Sequence, residues 1–146
     1  MVDTESEYED KKEILEEIML KEEDVLAQLK RLVKLAKPFL RVDENTGRVV
    51  LSENFSFTHG EELFLAFVGK YFARHYGILE EEVVGIGNLS DDIGVPVTSL
   101  SGPLGRLVAD HTVDKLGPSK YRVNPHKIEA TLQELTRKYL TQHEER

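Results

Sequence analysis

The five histidines are the residues of this chain best suited to metal binding or acid–base chemistry, and their spacing supports neither. They lie at positions 59, 75, 111, 126 and 143, and no two form an H-E-x-x-H or other metal-binding pattern. The one close pairing with a carboxylate, His111 with Asp114, falls at the start of a predicted strand. Cysteine is absent, which excludes disulfides, thiolate metal sites and cysteine nucleophiles. We therefore predict no metal, no cofactor and no catalytic residue.

Two further motifs have a superficial likeness to active sites. Gly85-Ile86-Gly87 lacks the third glycine and the preceding strand of a nucleotide-binding loop, so it is interpreted as a chain break before a helix at Leu89. The glutamates at positions 80, 81 and 82 are adjacent, and adjacent side chains do not converge on one substrate atom from a single helical face. Both observations favour a protein that is not an enzyme.

The net charge of −8 is concentrated at the N-terminus. Residues 1–29 contain eleven acidic residues and three lysines, which accounts for all of it. Residues 96–143 contain seven lysines and arginines against four acidic residues. The C-terminal third can therefore bind a polyanion, although so small a basic excess is also typical of a solvated surface.

The composition predicts a cytoplasmic protein with no membrane segment. No apolar run approaches the roughly 20 residues that a membrane-spanning helix needs, and the acidic N-terminus is unlike a basic secretory leader. The absence of cysteine is compatible with a reducing compartment. The length of 146 residues suits one domain with an appendage.

The first region, residues 1–38, is predicted to contain one long helix over residues 10–37, ended by Pro38. Its apolar residues follow alternating steps of three and four, the spacing of a coiled-coil seam, with Glu22 as a charged interruption. Two alternatives are equally favoured: a seam that joins two chains as a homodimer, or a helix that folds back on its own domain. The residues of the dimerisation seam would be Leu15, Ile18, Val25, Leu29 and Leu32.

The second region, residues 39–57, is predicted to be a connector that contains a β-hairpin. Strands over residues 39–43 and 48–52 flank a turn in which Asn45 and Gly47 supply positive φ angles. Phe55 and Phe57 alternate with polar neighbours, which is the pattern of a strand extension. We interpret the hairpin as a structural spacer, with a projecting contact arm as the alternative.

The third region, residues 58–143, begins with a helix that has capping residues at both ends. Thr58 and Glu61 have the T-x-x-E form of a capping box, and Gly77 is a natural left-handed cap at the other end. Apolar and aromatic residues recur at helical spacing between these caps. The pattern predicts a helix that lies in the core.

The stretch from Leu89 to Pro96 has the spacing of two helices joined by a tight turn. Leu89 and Ile93 share one helical face, and Ser90 is small where two helices would approach closely. Gly94 permits the sharp turn into a second helix with its own apolar stripe. These residues resemble the winged helix-turn-helix superfamily of regulators, particularly its archaeal members.

The resemblance continues downstream and covers just over half of the chain. Residues 112–116 resemble the first wing strand, residues 117–120 the turn and residues 121–123 the return strand, before a helix that starts at Asn124 and Pro125. It implies a mainly α fold with small β content (α+β). In this fold the winged helix-turn-helix domain follows a long N-terminal helix and a β-hairpin.

The resemblance also implies a mode of action, because in DNA-binding members the second helix of the motif enters the major groove. The outward residues of that helix are here Thr98, Ser99, Gly102, Pro103 and Arg106. Only Arg106 can make a bidentate contact to guanine. This composition implies weak reading of base sequence.

The implied wing is more basic than the implied recognition helix. Lys115, Lys120, Arg122 and Lys127 lie within thirteen residues and are expected to contact phosphates, which position a protein without specifying sequence. The first functional hypothesis is a transcriptional regulator that binds double-stranded DNA mainly through its phosphate backbone. The alternative is a scaffold module that binds a protein partner, since winged helices also serve as interaction modules.

Overall fold

A computed structural model describes residues 4–19 and 21–141 of the chain. The chain divides into two compact units, Met1–Arg31 and Leu32–Arg146, called here the N-terminal unit and the larger unit. The helices are α1 (Thr4–Glu16), α2 (Glu22–Ala36), α3 (His59–Tyr76), α4 (Ile86–Ile93), α5 (Val97–Ala109) and α6 (Pro125–Thr136), which continues into a π-helical turn (Arg137–Thr141). The strands are β1 (Leu40–Val42), β2 (Val49–Leu51), β3 (Val113–Gly117) and β4 (Lys120–Val123). They form two antiparallel hairpins, β1-β2 and β3-β4, and the predicted α+β class is confirmed.

The prediction of one helix over residues 10–37 is wrong, because α1 ends at Glu16 and α2 begins at Glu22. The last backbone bonds of α1 run from Ile18 N–H to Leu15 and from Met19 N–H to Glu16, the tight spacing with which helices often end. At the start of α2, the Asp24 carboxylate accepts a hydrogen bond from the backbone N–H of Lys21 at 3.4 Å. The residues of this break contain neither glycine nor proline, and the one irregularity of the apolar spacing near it is the charged Glu22, at which α2 begins.

The β1-β2 hairpin confirms the predicted position and turn. Leu40 lies opposite Leu51 and Val42 opposite Val49. Gly47 takes a positive φ of 77°, but Asn45 does not, contrary to the prediction. Instead, Asp43 accepts hydrogen bonds from the backbone N–H groups of residues 45 and 46, at 2.8 Å and 3.0 Å. These bonds hold the pKa of the Asp43 carboxyl below its ordinary value.

Helix α3 is the central element of the larger unit. Its capping box is confirmed, since Thr58 Oγ1 accepts from the Glu61 N–H at 3.2 Å and the Glu61 carboxylate accepts from the Thr58 N–H at 2.8 Å. Gly77 ends the helix with a φ of 98°. Residues 63–70 are all buried, so α3 is covered on every side over two turns. A core helix is therefore confirmed.

The first hairpin packs directly on α3 through a glycine. An alanine Cβ at Gly69 would lie 2.3 Å from Val49 Cγ2 and 2.9 Å from Val49 Cγ1, both closer than real contacts allow. Val49 itself is fully buried, as is Phe39 just before β1. The hairpin thus contributes to the core of the larger unit.

Phe55 and Phe57 do not extend a strand, because the chain carries them into an aromatic cluster instead. The Tyr139 ring lies edge-on to both, with ring centroids 5.5 Å and 5.2 Å away. The Tyr139 hydroxyl donates to the carboxylate of Glu61 at 2.5 Å, and Lys138 donates to the same carboxylate at 2.8 Å. Burial raises the pKa of Glu61, but these hydrogen bonds outweigh it and lower the pKa overall. The cluster fastens the C-terminal π-helical turn to the start of α3.

Candidate nucleic-acid interface

The turn between α4 and α5 takes the conformation that the sequence predicts for it. Gly94 has a φ of 69° and a ψ of 28°, in the left-handed region that glycine adopts at no steric cost. Ser90 Oγ donates to the Val95 carbonyl at 2.6 Å across the turn, which gives this small residue a polar role as well. Leu89 and Leu100 are fully buried, so each of the two helices has one face in the core. Helix α4 starts three residues earlier than predicted and includes Gly87.

A buried ion pair fixes α4 against α3 and the first hairpin. Lys70 Nζ lies 2.7 Å from Asp92 Oδ2, and the two side chains are only 8% and 12% exposed. Lys70 also donates to the Gly47 carbonyl at 3.0 Å, and Asp92 Oδ2 accepts from the Val49 N–H at 3.1 Å. Sequence reasoning missed this pair. The only available signal was a lysine inside the otherwise apolar run of α3, and nothing in the sequence indicated its partner.

The outward face of α5 is made almost entirely of small side chains. Thr98, Ser99 and Arg106 are all exposed, as predicted for the recognition helix. Gly102 is also exposed, and a Cβ there would meet no atom within 4 Å. Pro103 was wrongly predicted to face outward: it is half-buried and lies beside the first turn of α3. Arg106 is therefore the one long cationic side chain of α5.

The second hairpin confirms the predicted strand–turn–strand pattern to within one residue. It divides its cations between two faces, because successive residues of a strand point to opposite sides. Arg122 pairs across the hairpin with Asp114, whereas Lys115 pairs with Tyr121 and holds its ammonium 5.9 Å from that ring. Arg122 is half-buried, and its Nε is buried without a hydrogen-bond partner. Lys120 is exposed at the turn.

Helix α6 is anchored by a cap that also places Lys127 in its exposed first turn. Asn124 Oδ1 accepts from the His126 N–H at 3.1 Å, and Asn124 Nδ2 donates to the His111 carbonyl at 3.0 Å. His111 adopts a φ of 65°, an unusual conformation for a residue with a side chain. Its role is therefore to shape the link between α5 and β3.

An isolated β-bridge, made of two backbone hydrogen bonds, joins the segment before α4 to the second hairpin. The Val84 N–H donates to the Tyr121 carbonyl at 2.8 Å, and the Tyr121 N–H donates back at 2.9 Å. The bridge is antiparallel and adds a third backbone segment beside β4. The sequence prediction contained no strand before α4.

The residues of the predicted dimerisation seam fall in different environments. Leu15, Ile18 and Val25 are exposed, with Ile18 at 79%, and Leu29 is half-buried. Ile18 follows the end of α1 and is not helical. Leu32 is only 1% exposed and belongs to the core of the larger unit, so it does not face a partner chain. The end of α2 thus packs on its own domain.

The described residues include no group of three or more histidines and acidic residues placed to hold a metal ion. No helix among them is both long and apolar enough to cross a membrane. No family model, curated protein or solved structure matches the chain.

Proposed function

We propose that residues 58–143 form a winged helix-turn-helix domain that binds double-stranded DNA chiefly through phosphate contacts, and that the protein is a transcriptional regulator without enzymatic activity. The observation that carries this proposal is the order and packing of the elements. Two helices meet at the Gly94 turn, and a basic hairpin follows the second of them. The isolated β-bridge from Val84 adds a third backbone segment beside that hairpin, which supports its interpretation as a wing.

The charges around α5 support phosphate binding. Arg106, Lys115, Lys120, Arg122 and Lys127 form no ion pair with another residue in the described ranges. An unpaired surface cation can contact a phosphate without first giving up a carboxylate partner. Arg122 is the weakest contributor, because Asp114 lies opposite it.

The outer face of α5 indicates low sequence specificity. Base recognition requires long side chains that donate or accept hydrogen bonds in the major groove. On the outer face of α5 only Arg106 has that reach, and Gly102 has no side chain at all. We expect affinity from the backbone and little discrimination between sequences.

A salt titration with mixed-sequence duplexes tests the proposal. If three or four cations meet phosphates, log K should fall against log salt with a slope of roughly −3 to −4 per domain. Lys120→Ala with Lys127→Ala should weaken binding equally for all sequences and reduce the slope by about 2. Lys34→Ala with Arg48→Ala removes the same charge elsewhere on the surface and serves as the matched control. Failure to bind any duplex at roughly 50 mM salt and tens of micromolar protein would refute DNA binding.

The alternative function is a scaffold that binds a protein partner with the winged domain. The observation that favours it is the outer face of α5, which lacks side chains at Gly102 and Gly105 and where a Cβ at either position would meet no atom within 4 Å. Such a face permits close backbone approach by a partner helix. Gly102→Leu would then abolish partner binding, whereas weak DNA binding through phosphates would change little.

We further infer that two copies associate through the N-terminal unit. Its exposed apolar side chains support this inference: Tyr8, Ile14, Leu15, Ile18, Met19, Val25 and Leu26 are each at least 43% exposed. A monomeric mass for the full-length chain by light scattering would refute it. Leu15→Asp should dissociate the dimer, because a carboxylate buried in an apolar interface is costly.

A further inference from the structure

The outer edge of β1 pairs with no other strand of the described residues, and of its outward groups the Leu40 carbonyl accepts from the Arg41 guanidinium. Asp43 N–H donates to the Arg48 carbonyl at 2.9 Å, and Ser52 N–H donates to the Phe39 carbonyl at 2.8 Å. These bonds mark the hydrogen-bonded pairs of the ladder, so the residues two positions inward are hydrogen-bonded as well. Leu40 and Val42 lie between them and direct their backbone groups away from β2. Within the described chain β1 pairs with β2 alone.

An apolar groove of about 360 Å³ runs beside this edge. It is bounded by the end of α2, by β1 and by the middle of α3. Its lining residues are Val33, Ala36, Leu40, Val42 and Phe72, with Lys37 and Arg41 as the charged members. An edge with unpaired backbone groups and an apolar floor has what strand addition needs, namely backbone bonds for affinity and pockets for alternate side chains.

The two cations decide which occupant fits the groove. Lys37 and Arg41 form no ion pair with another described residue, and none of the described residues that line the groove carries a carboxylate. The Arg41 guanidinium is held in place by hydrogen bonds to the carbonyls of Lys37 and Leu40. A second copy paired symmetrically through β1 would bring two such basic edges together, and like charges on neighbouring strands are destabilising.

We propose that the β1 edge binds an extended acidic segment of a partner protein by strand addition. Alternate apolar side chains of the segment enter the groove, and the intervening carboxylates meet Lys37 and Arg41. The segment's backbone pairs with the outward N–H groups of Leu40 and Val42 and with the Val42 carbonyl, since the outward Leu40 carbonyl already accepts from the Arg41 guanidinium. This site lies on the first hairpin, so the inference does not depend on DNA binding by α5 and the wing.

Fluorescence anisotropy on the full-length protein tests the charge requirement. The probe is a labelled nine-residue peptide that alternates valine with glutamate, and the comparison peptide has lysine in place of glutamate. We expect the glutamate peptide to bind at least about tenfold more tightly than the lysine peptide. Lys37→Glu with Arg41→Glu should weaken glutamate-peptide binding by about tenfold or more. Lys34→Glu with Arg48→Glu makes the same charge change outside the groove and should alter binding by less than about twofold.

Amide hydrogen exchange tests the position of the bound segment. Leu40 and Val42 amides should become protected when the glutamate peptide is added, while the Leu51 amide on the far edge of β2 should not change. The proposal is overturned if no binding occurs up to about 1 mM peptide, or if both peptides bind equally. It is equally overturned if the control variant loses binding as strongly. Protection of Leu40 and Val42 without peptide, rising with protein concentration, would show that a second copy covers the edge and would also overturn it.

Discussion

Replacing Gly69 by alanine should destabilise the protein, although alanine is the better helix former. The new Cβ would lie 2.3 Å and 2.9 Å from the two methyl groups of Val49 and 3.1 Å from its Cβ. Rotating the valine side chain does not clear this contact, because its Cβ remains too close, so β2 must move away from α3. Overpacking of this kind costs about 1–3 kcal/mol. The higher helix propensity of alanine offsets at most about 1 kcal/mol of this cost. Because a contact of 2.3 Å places the cost in the upper half of that range, we expect a net loss of about 1–2 kcal/mol, which lowers Tm by about 3–8 °C.

Thermal and urea denaturation of three variants would test this reasoning. Gly102→Ala is the matched control, because the Cβ it adds to a helical glycine would meet no atom within 4 Å, and it should stabilise by about 0.5–1 kcal/mol. Val49→Ala added to Gly69→Ala should cost less than the sum of the two single changes, since it removes both clashing methyl groups. A Gly69→Ala variant as stable as the parent protein would show that the hairpin does not pack against α3 at this distance.

Three further perturbations have defined outcomes. Lys70→Met should cost about 3–5 kcal/mol in urea denaturation by leaving the Asp92 carboxylate buried without its cation, and exchanging both residues for apolar ones should recover much of this loss. Burial raises the pKa of Glu61 but its hydrogen bonds lower it below the ordinary 4.5, so its stabilisation is full above about pH 4.5 and is lost as the pH falls through the lower folded-state value. Glu61→Gln should therefore flatten the dependence of Tm on pH between about 7 and 3, and an unchanged slope would contradict this origin. Gly94→Val should cost about 1–3 kcal/mol by forcing a branched residue to a φ of 69°, and an unchanged Tm would show that the turn has no such requirement.

Features that depend on a few neighbouring residues could be predicted from the sequence. The capping box at Thr58, the left-handed caps at Gly77 and Gly94, the start of α6 at Asn124 and the turn at Gly47 all lie where the sequence places them. Each is a local competition for backbone hydrogen bonds or for a positive φ, and the residues that decide it are within four positions of one another. Helix ends and turns were therefore the most reliable part of the prediction.

The break between α1 and α2 is a limit of the same reasoning. Apolar spacing reports which face of a helix is buried, but it does not report where a helix stops when neither glycine nor proline is present. Between the end of α1 at Glu16 and the start of α2 at Glu22, the structure shows a capping carboxylate at Asp24 and backbone bonds that close the end of α1. In the sequence, Asp24 looks like an ordinary surface residue, and the backbone bonds leave no signal at all.

The amino-acid sequence by itself determined the mainly helical class with two hairpins, the helix caps and the basic residues of the second hairpin. Only the tertiary structure decided which distant residues meet. In the folded protein Lys70 forms an ion pair with Asp92, and Val49 packs against Gly69. Lys115 and Arg122 lie on opposite faces of one hairpin. The reason is physical: a buried charge or a close backbone approach needs a partner far along the chain, and neither composition nor periodicity carries information about that partner.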